Sequence, residues 1–185
     1  MEIINGERLV LGTCYYPEHW DESLWRDDLR RMLENGIEVI RIAEFAWSKI
    51  ERYEGVFNYD FFDRFLDAAA EMGMKVIFCT PTATPPAWLT EKYPEVLNAT
   101  MDGVLYRHGG RRHYNYNSPK YQELTRIIVE KSASHYAKHP AIIGWQIDNE
   151  INCEKNEFYS ESDTIAFRKF LMEKYGSIDA LNDAW

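Results

Sequence analysis

Two carboxylates and an amide stand in immediate succession at Asp148, Asn149 and Glu150. They follow an apolar run at 142–147, whose β-branched and aromatic residues predict a buried strand. A charge at the end of a buried strand is costly unless a partner stabilises it or a reaction uses it. The cluster is therefore either a structural ion-pair network or a site whose chemistry needs a carboxyl group.

The composition excludes several kinds of partner. The chain has 185 residues, 45% of them hydrophobic and 15% aromatic, so it can bury a sizeable core. Its formal net charge of -9 argues against nucleic acids and anionic membranes, because both bind clustered Lys and Arg. We therefore expect a neutral partner, with no nucleic acid and no membrane.

The cysteines and the N-terminal residues indicate the compartment. Cys14, Cys79 and Cys153 are odd in number and form no C-x-x-C pair, so neither a disulfide framework nor a zinc knuckle is predicted. Cys14 and Cys79 are expected to be small buried residues on strands. The N-terminal segment has no long apolar region, and no apolar run is long enough to cross a bilayer. These features predict a cytoplasmic protein.

Strand-like and helix-like segments alternate four times along the chain. Strands are predicted at 8–16, 38–45, 75–80 and 141–147. The predicted helices run from Trp25 to an Asn35-Gly36 cap, from Asp60 to Gly73, from a Ser118 N-cap to Tyr136, and through 165–175. Such alternation means parallel strands joined by right-handed crossovers.

A (β/α)8 barrel explains this pattern better than a doubly wound sheet. A dinucleotide-binding sheet would carry G-x-G-x-x-G after the first strand, where this chain has "GTCYYPEHW". All four predicted strands end in polar or aromatic residues, as in a barrel that builds its active site there. A barrel takes about 250 residues and eight units. Residues 1–185 are therefore predicted to be the N-terminal half of a catalytic barrel, without the remaining units and any C-terminal domains.

The long connection at 81–117 is predicted to be functional because of its length. Pro85, Pro86 and Trp88 are expected to form an apolar wall on which the C–H face of a sugar can stack. Arg111, Arg112 and His113 add hydrogen-bond donors, and a guanidinium fork can bind two ring hydroxyls. Of the two arginines, Arg112 is better interpreted as a salt-bridged support of the loop.

Five motifs together resemble the β-galactosidases of glycoside hydrolase family 42. They are "YYPEHW" at 15–20, "RIAEFAWSKIE" at 41–51, "TPTATPPAWL" at 80–89, "GGRRHYNYNSP" at 109–119 and "GWQIDNE" at 144–150. The resemblance implies a retaining hydrolase of β-galactosides on a (β/α)8 barrel, with Glu150 as general acid/base. It further implies that Asn149 binds the sugar 2-hydroxyl and that Arg111 contacts galactose. A homo-oligomer, a trimer in this family, and no cofactor are also implied.

The chemistry of a general acid agrees with Glu150. Such a group must be protonated near neutral pH, so its pKa must be raised by an apolar or like-charged setting. Trp145, Ile147, Ile151 and the neighbouring Asp148 are expected to supply that setting. The nucleophile of a retaining enzyme, which the resemblance puts at the seventh strand, has no convincing candidate among these residues. We therefore expect residues 1–185 alone to be inactive.

The chain departs from the family at a structural zinc site that some members carry. Asn115 and Tyr116 follow "RRHY" where those members have a cysteine, and "CEKNEFYSESD" holds a single Cys. No metal site is therefore predicted. His19 and His113 are expected to be hydrogen-bonded loop residues, because no second ligand stands at helical spacing from either.

Structural alternatives accompany these assignments. Glu150 is open to a purely structural role as a partner of Arg41 or Arg111. Glu18 and Glu44, at strand ends, are expected to support the site rather than bind substrate, and Asp148 is expected to position the Asn149-Glu150 turn. A related glycosidase with another sugar preference and a non-catalytic sugar-binding half-barrel are the competing functions.

Overall fold

The computed structural model describes residues 8–110, 112–151, 153 and 156–185. The chain divides into two compact units, the first formed by residues 1–86 and 127–151 and the second by residues 87–126 and 152–185. The strands are β1 Leu11–Cys14, β2 Ile37–Ile42, β3 Glu51–Tyr53, β4 Val56–Phe57, β5 Lys75–Cys79 and β6 Ile142–Gln146. The helices are α1 Trp25–Glu34, α2 Trp47–Ile50, α3 Asp60–Met72, α4 Ala87–Lys92, α5 Pro119–Tyr136, α6 Glu161–Tyr175 and α7 Ile178–Ala184.

A parallel sheet is the centre of the first unit. Its described strands lie in the order β1-β2-β5-β6, and every neighbouring pair is parallel. The order of the strands in space is their order along the chain, with a helix after β1, β2 and β5. This is the pattern of consecutive βα units, and the sheet brings the carboxyl ends of its strands to one edge.

The apolar spacing of the helices explains how they cover the sheet. Trp25 and Leu29 of α1 are buried, as are Phe62, Phe65 and Leu66 of α3. Trp25 and Phe65 pack edge to face, with ring centroids 5.2 Å apart, so aromatic residues join the two helices. The helix α3 ends as predicted at a glycine with φ of +81°, a left-handed conformation that other residues adopt at a cost. The predicted helix from Ser118 to Tyr136 is also confirmed.

The sheet corrects three details of the sequence interpretation. The strand β6 lies at the edge of the described sheet and is half-buried throughout, whereas its apolar run predicted a buried strand. Cys14 is exposed because β1, at the opposite edge, is exposed along its whole length, while Cys79 is buried as predicted. The predicted strand bounds were also too wide, most of all for β1, which spans Leu11–Cys14 instead of 8–16.

The second unit contains α4, α6, α7 and the first turns of α5, residues 119–126. Isolated bridges pair Leu97 with Tyr114 and Ala99 with Leu105. Ser160 caps α6 with a reciprocal pair of hydrogen bonds to Asp163. Within the part of the chain that the structure describes, no helix is long and apolar enough to cross a membrane.

Candidate active site

Polar side chains from all four parallel strands lie at the carboxyl edge of the sheet. Tyr16 follows β1, Arg41 and Glu44 lie at the end of β2, Thr80 and Thr82 follow β5, and Gln146, Asp148 and Asn149 come from the end of β6. They are joined by a continuous set of hydrogen bonds, which we call the strand-end network. Two members that are bonded directly, Arg41 and Gln146, are 105 residues apart in the sequence.

The network begins at an ion pair between Arg41 and Glu44. Nη2 of Arg41 donates to Oε1 of Glu44 at 2.7 Å, and Glu44 is completely buried. The hydroxyl of Tyr16 donates to the same carboxylate oxygen at 2.8 Å. Burial and this hydrogen bond to Glu44 raise the pKa of Tyr16 to about 12, so the phenol remains a donor at neutral pH. Both partners bind Oε1 of this buried carboxylate, while its Oε2 has no hydrogen-bond partner among the described residues.

Gln146 connects this ion pair to the turn that follows β6. Nη1 of Arg41 donates to Oε1 of Gln146 at 2.6 Å. The amide nitrogen of Gln146 donates to the backbone carbonyl of Asp148 at 2.8 Å and to Oδ1 of Asn149 at 3.3 Å. Gln146 therefore makes hydrogen bonds through both ends of its amide group, the oxygen and the nitrogen.

Asp148 holds the turn itself. Its Oδ2 accepts from Thr82 at 3.0 Å, and its Oδ1 accepts from the backbone N–H of Asn149 at 2.5 Å. The backbone N–H of Asp148 donates to Oγ1 of Thr80 at 2.7 Å. The expectation that Asp148 positions the Asn149-Glu150 turn is confirmed by these contacts.

Backbone strain accumulates at the same edge of the sheet. Ala43, Asp148 and Glu150 have φ angles of +73°, +53° and +49°, in the left-handed region that residues with a side chain rarely adopt. Each such residue costs about 1–3 kcal/mol and persists only where surrounding contacts determine it. Here Ala43 adjoins the buried Glu44, and Asp148 is held by two threonines. Strain of this kind is concentrated at functional sites.

Glu150 lies on this turn, but not in the setting that the sequence predicted. Its side chain is exposed, and so are Ile147 at 71% and Ile151 at 59%. The two isoleucines were expected to enclose the carboxyl group, and that expectation is wrong for the described chain. The reason is that β6 ends at Gln146, so Ile147 no longer packs within the sheet. Arg41, one of the two structural partners considered for Glu150, is bonded to Glu44 and Gln146.

Glu18 differs from Glu44, although both were expected to support the site. It lies on a 3-10 turn, Pro17–His19, after β1. Both of its carboxylate oxygens are buried and have no hydrogen-bond partner among the described residues. Burial raises the pKa of Glu18, because a desolvated carboxylate is disfavoured relative to its neutral form. The supporting contacts come from Glu44.

The motif at 109–119 lies in the second unit and is held by its own side chains. Arg112 is buried, has a φ of +55°, and donates to the hydroxyls of Tyr114 and Tyr116. It thus supports the loop, through tyrosine hydroxyls. Nδ1 of His113 lies 2.6 Å from the carbonyl oxygen of Gly110, and burial lowers the pKa of this histidine, so its ring is a hydrogen-bonded loop residue as predicted. Arg111 lies outside the described residues.

Two further expectations concern the loop after β5 and a metal. Of the three residues predicted to form an apolar wall for a sugar, Pro85 and Pro86 are buried and do not present one, whereas Trp88 is half-buried. Asn115 is buried and donates to the hydroxyls of Ser160 and Ser162, which fastens the loop to the start of α6. Among the described residues, no group of three or more His, Cys, Asp or Glu side chains is arranged to hold a metal ion.

Sequence reasoning included Thr80 and Thr82 in a functional strand end but missed Gln146 as a member of the site. A signal was present for Gln146, because a single polar residue near the end of an apolar strand needs a partner. Nothing in the local sequence could identify Arg41 as that partner, since their contact depends on the position of β5 between β2 and β6.

Parallel βα units with acidic and amide side chains at the carboxyl ends of the strands define the class of (β/α)8-barrel enzymes. The sequence model of glycoside hydrolase family 42, described as beta-galactosidase, matches residues 14–185. A beta-galactosidase of Thermus sp., BgaA, is 45% identical over 95% of this chain and 27% of its own length. A beta-galactosidase of Halorubrum lacusprofundi, Bga, is 42% identical over 95% of this chain and 25% of its own length.

A solved structure agrees with these sequence relatives. The crystal structure of beta-galactosidase from the psychrophilic Marinomonas ef1 is 44% identical, with a TM-score of 0.91, over 96% of this chain and 27% of that one. The chain therefore belongs to glycoside hydrolase family 42 and spans about a quarter of the length of these relatives. The predicted fold class, part of a (β/α)8 barrel, is confirmed.

The hydrogen bond between Thr82 and Asp148 should stabilise the fold measurably. Replacing Thr82 by Val removes a donor from a buried carboxylate, which should lower the free energy of unfolding by about 1–3 kcal/mol. Thr84→Val is the matched control, because Oγ1 of Thr84 is buried with no partner among the described residues. That change should be neutral or stabilising in denaturant titrations. Equal losses in both variants would contradict a specific role for the bond.

The buried carboxyl group of Glu18 should make stability depend on pH. Because the pKa of Glu18 in the folded chain lies above its ordinary value of 4.5, the folded state retains a proton that the unfolded state releases. The contribution of Glu18 to the free energy of unfolding is therefore largest at low pH. It falls as the pH rises from the ordinary pKa through the raised pKa. Glu18→Gln should have a higher Tm than the parent at pH 7, and the difference should vanish below that window.

Glu22→Gln provides the control of opposite sign. The hydrogen bond from Arg64 lowers the pKa of Glu22, so its contribution is present above the ordinary carboxyl pKa and lost as pH falls. Its removal should lower Tm at pH 7, if only slightly, because the pair is exposed. A Tm of Glu18→Gln at or below the parent value at pH 7 would show that the buried carboxylate does not destabilise the folded chain.

Proposed function

We propose that the whole protein is a β-galactosidase that removes terminal non-reducing β-D-galactose residues with retention of configuration, and that Glu150 is its general acid/base. The observation that carries this proposal is the position of Glu150. It directly follows Asn149 on a strained turn at the carboxyl edge of the sheet, in a chain that belongs to glycoside hydrolase family 42. Residues 1–185 are proposed to be the N-terminal half of the catalytic barrel.

The proposed mechanism uses two carboxyl groups in two steps. Glu150 first donates its proton to the glycosidic oxygen while the second carboxylate attacks the anomeric carbon. The glycosidic bond breaks, the leaving group departs as an alcohol, and a covalent glycosyl-enzyme is formed. Glu150, now ionised, then takes a proton from water as the water hydrolyses that intermediate. The resemblance puts the second carboxylate on the seventh strand, outside residues 1–185. These residues alone should therefore be inactive, and kinetic tests need the full-length enzyme.

Asn149 and Arg111 are proposed to bind the galactose ring. Asn149 is buried and held beside Glu150, so its amide can bind the 2-hydroxyl next to the reacting carbon. Hydrogen bonds to that hydroxyl strengthen in the transition state of glycoside hydrolysis. Arg111 is assigned to galactose hydroxyls from the family motif, with a guanidinium fork suited to paired oxygen acceptors.

The partners, oligomeric state and cellular location of the whole enzyme are proposed from the sequence. The net charge of -9 supports a neutral galactoside and disfavours nucleic acid as a partner. We propose a homo-oligomer, a trimer as in the family, because the motifs match that family. A cytoplasmic location is proposed from the cysteine pattern.

The acid/base role can be tested by the leaving group. In the full-length enzyme, Glu150→Gln should slow hydrolysis of galactosides with poor leaving groups far more than that of activated aryl galactosides, because only poor leaving groups need protonation. The loss for poor leaving groups should be about 100-fold to 10,000-fold. Glu157→Gln, at another exposed glutamate, is the control and should leave both rates unchanged. Equal slowing of both substrates would show that Glu150 is not the acid.

The two neighbouring arginines should separate binding from folding. Arg111→Ala should raise KM and lower kcat/KM with little change in Tm, the pattern of a lost substrate contact. Arg112→Ala should instead lower stability by about 1.5–3 kcal/mol, because the buried guanidinium binds two tyrosine hydroxyls. Kinetics and thermal melts of both variants decide the matter. A large Tm loss with intact kinetics for Arg111→Ala would assign it to the loop instead.

A further inference from the structure

We propose that Gln146 is a positioning residue that fixes the direction of the Asn149 amide, so that Asn149 donates from Nδ2 to the 2-hydroxyl of the bound sugar. This inference rests on the proposed function and deepens it. It assigns a direction to the hydrogen bond between protein and sugar, and it names the residue that sets this direction. The starting point is the strand-end network.

The direction of the Asn149 amide follows from Arg41, because a guanidinium has only donor groups. A guanidinium can only donate, so Arg41 requires that the atom of Gln146 at 2.6 Å be the carbonyl oxygen Oε1. The other end of the same amide is then the amino group, which can only donate. It faces the Asp148 carbonyl at 2.8 Å and the Asn149 side chain at 3.3 Å. The atom of Asn149 on that side must therefore be the acceptor Oδ1.

Arg41 is itself held in place, so the direction does not reverse. Its second nitrogen pairs with the buried carboxylate of Glu44, which also accepts from the Tyr16 hydroxyl. Rotating the Asn149 amide by half a turn would put its amino group against the amino group of Gln146. Two donors would then face each other in a buried position, which is unfavourable. The Gln146 contact thus separates two otherwise similar orientations of Asn149.

The consequence for the sugar concerns the opposite end of the Asn149 amide. With Oδ1 bonded to Gln146, the amino group lies on the other side of the same planar group. A 2-hydroxyl oxygen can accept from this amino group. Such an interaction, preorganised before the substrate arrives, favours the transition state without reorientation during the reaction.

Gln146→Glu in the full-length enzyme is the sharpest test. The introduced carboxylate keeps the shape of the side chain and still accepts from Arg41, but it cannot donate to Asn149 and favours the reversed amide. We expect the ratio of kcat/KM for an aryl β-D-galactoside to that for its 2-deoxy analogue to fall about 3-fold to 10-fold, the value of one hydrogen bond. Gln146→Met should lower the ratio as well, because it removes the donor without adding charge.

The control is Gln122→Glu, at an exposed glutamine that donates to the carbonyl of Tyr116. It should leave the ratio at the parent value. A parent enzyme that cleaves neither substrate would overturn the proposed function and this inference with it. An active parent whose ratio is unchanged in both Gln146 variants would overturn the inference alone, and so would loss of folding in both variants, since Gln146 would then be structural.

Discussion

The pairing of Arg41 with the buried Glu44 is the interaction on which the carboxyl edge of the sheet depends. A carboxylate that is completely removed from water must be paired and hydrogen-bonded, and Glu44 has both an arginine and a tyrosine for this. Replacing such a pair by apolar residues often costs a fold nothing. The value of this pair is geometric. Because a guanidinium can only donate, Arg41 sets the orientation of the Gln146 amide, which contacts the amide of Asn149.

The residues with strained backbone angles lie at the same carboxyl edge of the sheet. Asp148 and Glu150 adopt left-handed backbone angles directly after β6, in a turn that Thr80 and Thr82 hold through Asp148. Strain persists only where the surrounding structure determines it. The threonines come from the end of the neighbouring strand β5, so parallel pairing of β5 with β6 is what makes the turn possible. The geometry of the site therefore depends directly on the order of the strands in the sheet.

The loop motif achieves order in a different way. Arg112 and Asn115 are buried, and their partners are tyrosine and serine hydroxyls within the second unit. These hydrogen bonds to uncharged hydroxyls lie in the motif where some members of the family carry a cysteine of a zinc site. The side chains of Arg112 and Asn115 each have hydrogen-bond partners in this unit, which reduces the cost of burying them.

The sequence by itself determined the alternation of strands and helices, the helix caps at Gly73 and Ser118, and the family, because these depend on spacing and local chemistry. It also located the Asp148-Asn149-Glu150 cluster, because these three polar residues are consecutive after an apolar run. Only the tertiary structure decided that Gln146 joins Arg41, that the strand before the cluster is half-buried, and that Pro85 and Pro86 are buried. The physical reason is that burial and side-chain partners depend on which strands become neighbours. Arg41 and Gln146 meet across 105 residues only after the sheet has formed.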